Sequence, residues 1–261
     1  MPEERIATVD VTRVTQGSVT RNEDVLAVEE PLEIRVGEKP ISVTMRTPGD
    51  DYDLATGFLF TEGLIRSAGE IESIRHWGSP NVVRVALYKP IDTSKLNRHF
   101  YTTSSCGVCG KTSIDAVRVL HMAPALLPAR ISKDLVYRLP KILEQNQSAF
   151  RATGGLHGAA IVSESGELLR IREDIGRHNA VDKVIGSLFR EGATPLSNTI
   201  LVVSSRASFE LVQKAVVAGI AVLAAVGAPS TLAVELAREF GVTLLGFVRD
   251  GRFNVYSGSV V

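Results

Sequence analysis

Residues 199–248 read TILVVSSRASFELVQKAVVAGIAVLAAVGAPSTLAVELAREFGVTLLGFV. The rhythm is strand, helix, strand, helix, strand, over 199–203, 209–219, 220–226, 231–240 and 242–248. The strand segments are short, apolar and rich in Val, Ile and Leu, as expected of strands buried on both faces. Alternation of this kind implies a sheet that is at least partly parallel and covered by helices. The same stretch raises the question of a membrane. Twenty uncharged positions lie between Lys214 and Glu235, nominally a spanning length. Gly219, Gly227 and the Pro229-Ser230-Thr231 cluster interrupt them, so the apolar part stops too early and no membrane span is expected.

Outward from this core, the pattern predicts a helix over 179–190 with Val181, Val184, Ile185 and Leu188 facing inward. A hairpin over 157–163 and 167–172 turns at Ser165-Gly166, and an amphipathic helix covers 135–150. The first hundred residues differ. Strands are expected at 6–14, 24–29, 31–36 and 41–46, then a turn at Thr47-Pro48-Gly49-Asp50 with a helix cap. Leu54, Phe58, Leu59 and Leu64 give a helical stripe, and two further strands follow at 71–77 and 82–87. The reading is of two parts, strand-rich α+β over 1–103 and α/β over 104–261, with the boundary just ahead of the cysteines.

Composition narrows the function classes. The 261 residues hold 29 Lys plus Arg against 29 Asp plus Glu, so the chain lacks the basic surplus that bulk nucleic-acid binding requires. Its two cysteines cannot form a disulfide framework, and no N-terminal stretch pairs a basic segment with an apolar run. A cytoplasmic protein is expected.

Both cysteines sit in Ser104-Ser105-Cys106-Gly107-Val108-Cys109-Gly110-Lys111-Thr112. Four chemistries compete for this loop. Gly110-Lys111-Thr112 copies the end of a P-loop, but the opening glycine is replaced by Ser105 and no buried strand precedes it. Zinc would need ligands beyond two thiolates, with His157 or His178 available. In a zinc deaminase a glutamate stands two residues after the histidine; here that position is Ala159. A thioredoxin-like dithiol would open a helix after a strand, whereas this segment is a glycine-rich loop. A persulfide-carrying cysteine fits the polar setting: Lys111 favours the thiolate, and Gly107 and Gly110 let the loop move between donor and acceptor. A second thiol beside a persulfide can expel sulfide and close a disulfide, so Cys109 must be held away or serve as an auxiliary.

Three further loops follow strands of the alternating half, at Ser204-Ser205-Arg206, Ala228-Pro229-Ser230-Thr231 and 246–252. If those strands are parallel neighbours, the hydroxyls, Arg206, Arg249 and Arg252 share one rim, the edge at which α/β folds bind ligands. Two plainer readings stand beside this one: Asp250-Gly251 is a good hairpin turn, and Ser230 is a good helix cap. Glu173-Asp174-Ile175-Gly176-Arg177-His178-Asn179 opens a helix, suited equally to an anion and to a simple charged cap. His76, His99 and His121 have no partners in the local sequence.

The chain resembles the FdhD/NarQ family of formate dehydrogenase accessory proteins. The resemblance is carried in order by EEPLEIRV (29–36), TPGDDYDLATGFLFTEGLI (47–65), SSCGVCGK (104–111) and TGGLHGAA (153–160). It continues through EDIGRHNAVDKVIG (173–186), SSRASFELVQK (204–214), APSTLAVELA (228–237) and LLGFVRDGRFNVYS (244–257). It implies a cytidine-deaminase-like C-terminal part without the catalytic zinc, and a sulfurtransferase acting through a cysteine persulfide. Sulfur would pass from a cysteine desulfurase to Cys106, then to the molybdenum cofactor bis(molybdopterin guanine dinucleotide), for formate dehydrogenase. Phe247, Val248, Arg249, Asp250, Gly251 and Arg252 would hold the guanine dinucleotide end, with GDP as a probe of that half and no structural metal. A homodimer is the expected assembly. The alternative is a chaperone that binds the cofactor without covalent chemistry and would tolerate Cys106→Ala. A zinc hydrolase would carry stoichiometric metal.

Overall fold

The computed structural model describes residues 4–89, 126 and 130–261. Cys106, Cys109 and Lys111, His99 and His121, and the expected boundary at 103/104 lie outside the described residues. The chain opens with a two-stranded antiparallel ribbon, β1 (Ile6–Thr15) and β2 (Ser18–Ala27). A four-stranded sheet of order β4-β3-β6-β5 follows, made of β3 (Glu30–Val36), β4 (Lys39–Arg46), β5 (Ile71–His76) and β6 (Val82–Leu87). Helix α1 (Asp51–Thr61) connects β4 to β5 by way of a short 3-10 turn at Ala68–Glu70.

The second part is built on a six-stranded sheet of order β12-β11-β10-β9-β7-β8. Its strands are β7 (His157–Ser163), β8 (Leu168–Asp174), β9 (Thr199–Val203), β10 (Val222–Ala225), β11 (Thr243–Arg249) and β12 (Arg252–Ser257). β9, β10 and β11 are parallel, as the alternation predicts, while β7, β8 and β12 run antiparallel to their neighbours. Helices α2 (Lys133–Asn146) and α3 (Ser148–Thr153) precede the sheet; α4 (Arg177–Arg190), α5 (Phe209–Val217) and α6 (Thr231–Phe240) connect its strands.

Period-two alternation divides the central strands between two cores. Ala160, Val162, Ile200, Val202, Val222, Ala224, Leu245 and Val248 face α2, which supplies Leu135, Val136, Leu139 and Leu143. Ala159, Ile161, Leu201, Val203, Leu223 and Leu244 face the opposite side. There they join α4, α5, α6, α1 and the inner face of the four-stranded sheet in one continuous cluster. The two parts are pressed together where α1 crosses α4. A Cβ added to Gly57 would lie 1.9 Å from the Asp182 carbonyl oxygen, and one added to Gly186 would lie 2.0 Å from that of Asp53. Only hydrogen fits at either position.

Charges buried around this crossing are matched. Arg46 donates two 2.9 Å hydrogen bonds to Asp51. Lys183 lies 2.7 Å from Asp174 and donates to the Thr47 carbonyl, and Lys214 lies 2.8 Å from Asp182. Thr61 donates to Asp182 and accepts from Lys214. Burial works to lower the Lys214 pKa, but Asp182 and its neighbours outweigh it and the net shift is upward.

Local differences from the sequence reading have physical causes. The helix expected over 135–150 is two helices broken at Gln147, whose φ/ψ of −89°/82° is not helical. Asp50 precedes α1 in the left-handed region at φ 59° and makes no side-chain cap, and α1 ends before Leu64. β2 begins at Ser18 rather than at residue 24, because ribbon pairing extends through its polar half.

Candidate functional site

The C-terminal ends of β9, β10 and β11 open onto a cleft of about 330 Å³ lined by His157, Arg177, Ser204, Ser205, Arg206, Val226, Gly227 and Arg249. Topology assembles it. Parallel pairing of β9 with β10 and of β10 with β11 places Ser204-Ser205-Arg206, Val226-Gly227 and Arg249 side by side. The antiparallel β7 begins at the same edge and brings His157. Helix α4 starts at Arg177 and contributes that guanidinium.

The loops are locked by their own backbone. Gly227 donates to the Ser205 carbonyl and accepts from the Phe247 N–H, each at 3.0 Å. A Cβ on Gly227 would meet Arg206 N at 2.8 Å, so the two loops touch only because this residue is glycine. Ser204 Oγ accepts from the Gly158 N–H at 3.0 Å and lies 3.5 Å from His157 Nδ1. Ser205 Oγ donates to the Arg206 carbonyl.

The electrostatics of the cleft are one-sided. Among the described residues no carboxylate lines it, and none lies within ion-pair distance of Arg177, Arg206 or Arg249. Arg249 donates to the Val226 and Val248 carbonyls, which fixes the side chain and leaves other N–H groups of its fork free. Arg177 Nε is buried without a hydrogen-bond partner. Burial, then the positive charges of Arg177 and His178, push the His157 imidazole below its usual range; Asp174 opposes them. A neutral imidazole, two hydroxyls and three arginines suit a phosphate-bearing anion.

The structure distributes the residues singled out in the sequence as follows. Arg249 and Arg206 reach the cleft; Arg252 is exposed and stands directly opposite Arg249 in the β11–β12 hairpin. Asp250-Gly251 forms the turn of that hairpin, with Gly251 at φ +73°. Phe247 sits at a bulge with φ 53° and its side chain 43% exposed beside the rim. Val248 is buried against α2. Ser230 caps α6, accepting from the Ala233 N–H at 3.2 Å.

In the 173–179 block, Glu173 accepts from the N–H groups of Ala149 and Phe150, and Asp174 from those of Thr47 and Gly176 and from Asn179. His178 Nε2 lies 2.6 Å from Glu210. Arg177 alone of that block lines the cleft; the sequence suited the block equally to an anion and to a simple charged cap. His157 was singled out as a candidate zinc ligand. That it meets Arg177 at one cleft follows from the position of β7 and the start of α4. His76 packs against Tyr52 with ring centroids 5.1 Å apart.

Fold and cleft together define a mixed α/β protein with an arginine-lined cleft at the carboxyl edge of its parallel strands. The chain belongs to the FdhD/NarQ family, whose model matches residues 27–260. It is 50% identical to the sulfur carrier protein FdhD of Streptomyces avermitilis, over 95% of this chain and 92% of that protein. It is 42% identical to the protein of that name from Sulfolobus acidocaldarius, over 97% of each. A crystal structure from Desulfotalea psychrophila, described as that of a candidate formate dehydrogenase accessory protein, superposes with a TM-score of 0.80. That pair shares 23% identity over 98% of each chain, and the likeness shows the fold. Among the described residues no helix is long and apolar enough to cross a membrane.

Proposed function

We propose that this chain is a cytoplasmic sulfurtransferase of the sulfur-carrier type, serving formate dehydrogenase. Cys106 takes the outer sulfur of a cysteine desulfurase persulfide and leaves the desulfurase thiol behind, with Cys109 as an auxiliary thiol. The acceptor is the molybdenum cofactor bis(molybdopterin guanine dinucleotide), bound as substrate. Its pyrophosphate lies among Arg177, Arg206 and Arg249, and its guanine reaches Phe247 and the turn at Asp250-Gly251, beside Arg252. The observation that carries the reading is that, among the described residues, no carboxylate lies within ion-pair distance of the arginines of the cleft, in a chain whose curated relatives are named sulfur carriers.

Two measurements test the two halves. Intact-mass analysis after incubation with a cysteine desulfurase and cysteine should show a sulfur-sized increase that reductant removes and Cys106→Ser abolishes. No increase with an active desulfurase and reduced thiols would defeat the carrier reading in favour of a non-covalent chaperone. Calorimetry with GDP should show binding that Arg177→Ala plus Arg249→Ala reduces strongly while mass loading of Cys106 persists. Unchanged GDP affinity in that folded double variant would return the cleft to a surface feature.

A further inference from the structure

The three arginines of the cleft stand on different supports. Arg206 belongs to the loop between β9 and α5, Arg249 ends β11, and Arg177 is the first residue of α4. The first two supports are joined through backbone. Gly227 donates to the Ser205 carbonyl, Phe247 to that of Gly227, Ala207 to that of Ala228, and Ser230 to that of Ala207. Main-chain hydrogen bonds thus set the spacing of those loops whatever their side chains. The start of α4 stands outside this set. On its far side Asn179 donates to the Met45 carbonyl at 2.7 Å and accepts from the Thr44 hydroxyl at 3.2 Å. Toward residues 204–210, the polar contacts of its first turn among the described residues are those of His178.

His178 is buried between the starts of two helices. Its Nε2 lies 2.6 Å from Glu210 Oε2 and 3.4 Å from Ser208 Oγ, and a carboxylate so close makes Nε2 the donating nitrogen. Both partners give up a local role to meet it. Ser208 is the N-cap residue of α5, yet its side chain makes no cap hydrogen bond. The Glu210 side chain is 12% exposed, and its Oε1 is buried without a hydrogen-bond partner. Buried polar atoms are seldom left unpaired, so an unpaired one asks for a reason beyond the fold.

We propose that His178 is a positioning residue of the cleft and a determinant of its specificity: by tying the start of α4 to the start of α5, it fixes the separation of Arg177 from Arg206 and Arg249. A single phosphate needs one guanidinium fork and follows that fork wherever it stands. Two phosphates linked through one oxygen have a set span, and forks on separate supports hold both only when already placed to match it. The tie therefore selects a diphosphate ester over a monophosphate. The inference rests on the reading of the cleft as a pyrophosphate site, and it adds a residue that acts through Arg177.

Calorimetry on the full chain with GDP and GMP tests it. The wild type should bind GDP more tightly than GMP. His178→Ala should lower GDP affinity about tenfold, the low end for one lost hydrogen bond to a charged group, and GMP affinity less than about twofold. Glu210→Ala cuts the same tie from the α5 side and should do the same, which carries the test if His178→Ala does not fold. His178→Gln keeps a donor near the Nε2 position and should restore most of the selectivity. In an Arg177→Ala background, His178→Ala should change the ratio no further, because the fork it positions is gone. An unchanged ratio in His178→Ala and Glu210→Ala, or an equal loss for both nucleotides, would overturn the proposal while leaving the cleft as a pyrophosphate site. A wild type that binds neither nucleotide would remove the reading of the cleft and the proposal with it.

Discussion

Two populations of cations in this molecule have opposite surroundings. Around the α1–α4 crossing, Arg46, Lys183, Lys214, Arg172 and Arg190 each face a carboxylate of the same chain, at 2.9, 2.7, 2.8, 2.8 and 2.6 Å. Around the cleft, no carboxylate among the described residues lies within ion-pair distance of Arg177, Arg206 or Arg249, and Arg249 donates to two carbonyls. Burial differs between them, since Arg206 and Arg249 are exposed where Arg46, Lys183 and Lys214 are buried. A resident counter-charge separates them as well. Where the chain supplies the anion itself the cation serves the fold, and where it supplies none the cation is available to a visitor.

The sharpest way to break this contrast is to remove an internal counter-charge. Asp182→Asn leaves buried Lys214 with Glu62, 3.8 Å away, as its remaining ion-pair partner and should cost about 3 kcal/mol in urea unfolding at neutral pH. The sign with pH follows from the upward shift of Lys214. The contribution of Lys214 is complete below the usual lysine value of 10.5 and fades as pH rises through its higher folded value, while burial raises the Asp182 pKa and brings its protonation to less acid pH. A loss below about 1 kcal/mol would mean that water reaches this pair and that it resembles an exposed ion pair.

Removing a cleft cation should do the reverse. Arg177→Ala is expected to weaken GDP binding by about 1.5–3 kcal/mol, the range for hydrogen bonds to charged groups. Folding stability should move by no more than about 0.5 kcal/mol, because no internal partner is orphaned. Calorimetry and thermal melts on the same preparation compare the two effects directly.

Acid should find the cleft through His157. Its depressed pKa means that its neutral form stabilises the fold fully above the usual value of 6.5. That contribution is lost as pH falls below 6.5 and down through the folded value, with a slope of at most about 1.4 kcal/mol per pH unit. His157→Gln should flatten that part of the stability–pH curve, and GDP should flatten it too by favouring the charged ring. The smallest effect is expected at Arg170–Glu191. This pair is 2.6 Å apart with side chains 29% and 54% exposed, and Glu191→Gln should cost between 0 and about 1 kcal/mol.

Much of this frame was legible in the residues themselves. The segment over 199–248 announced three parallel strands through the alternation of buried runs and helical stripes, and the bounds of β9 and α6 agree with it. The pattern failed where tertiary pairing overrides local preference. Ser18 to Glu23 is polar and became strand because β1 lies beside it. The segment over 252–257 was read for its ligand chemistry and is also a strand, added by the Asp250-Gly251 turn. In the site, Arg249 and Arg206 were found because they follow parallel strands. Arg177 was suited to an anion by its place at a helix start, but its meeting with His157 at this edge depends on β7 running antiparallel beside β9, a fact no local spacing encodes.

The glycine contact between α1 and α4 has a consequence for how this protein can change over time. Gly57 and Gly186 each sit so close to the opposing backbone that a single methyl group must push the two helices apart. Arg177 stands at the start of α4, so any such displacement reaches the cleft as well as the crossing. The two glycines therefore tie sequence drift in one half of the molecule to ligand geometry in the other. Substitution at either is an event for the whole protein, and lineages that keep the cleft are expected to keep both.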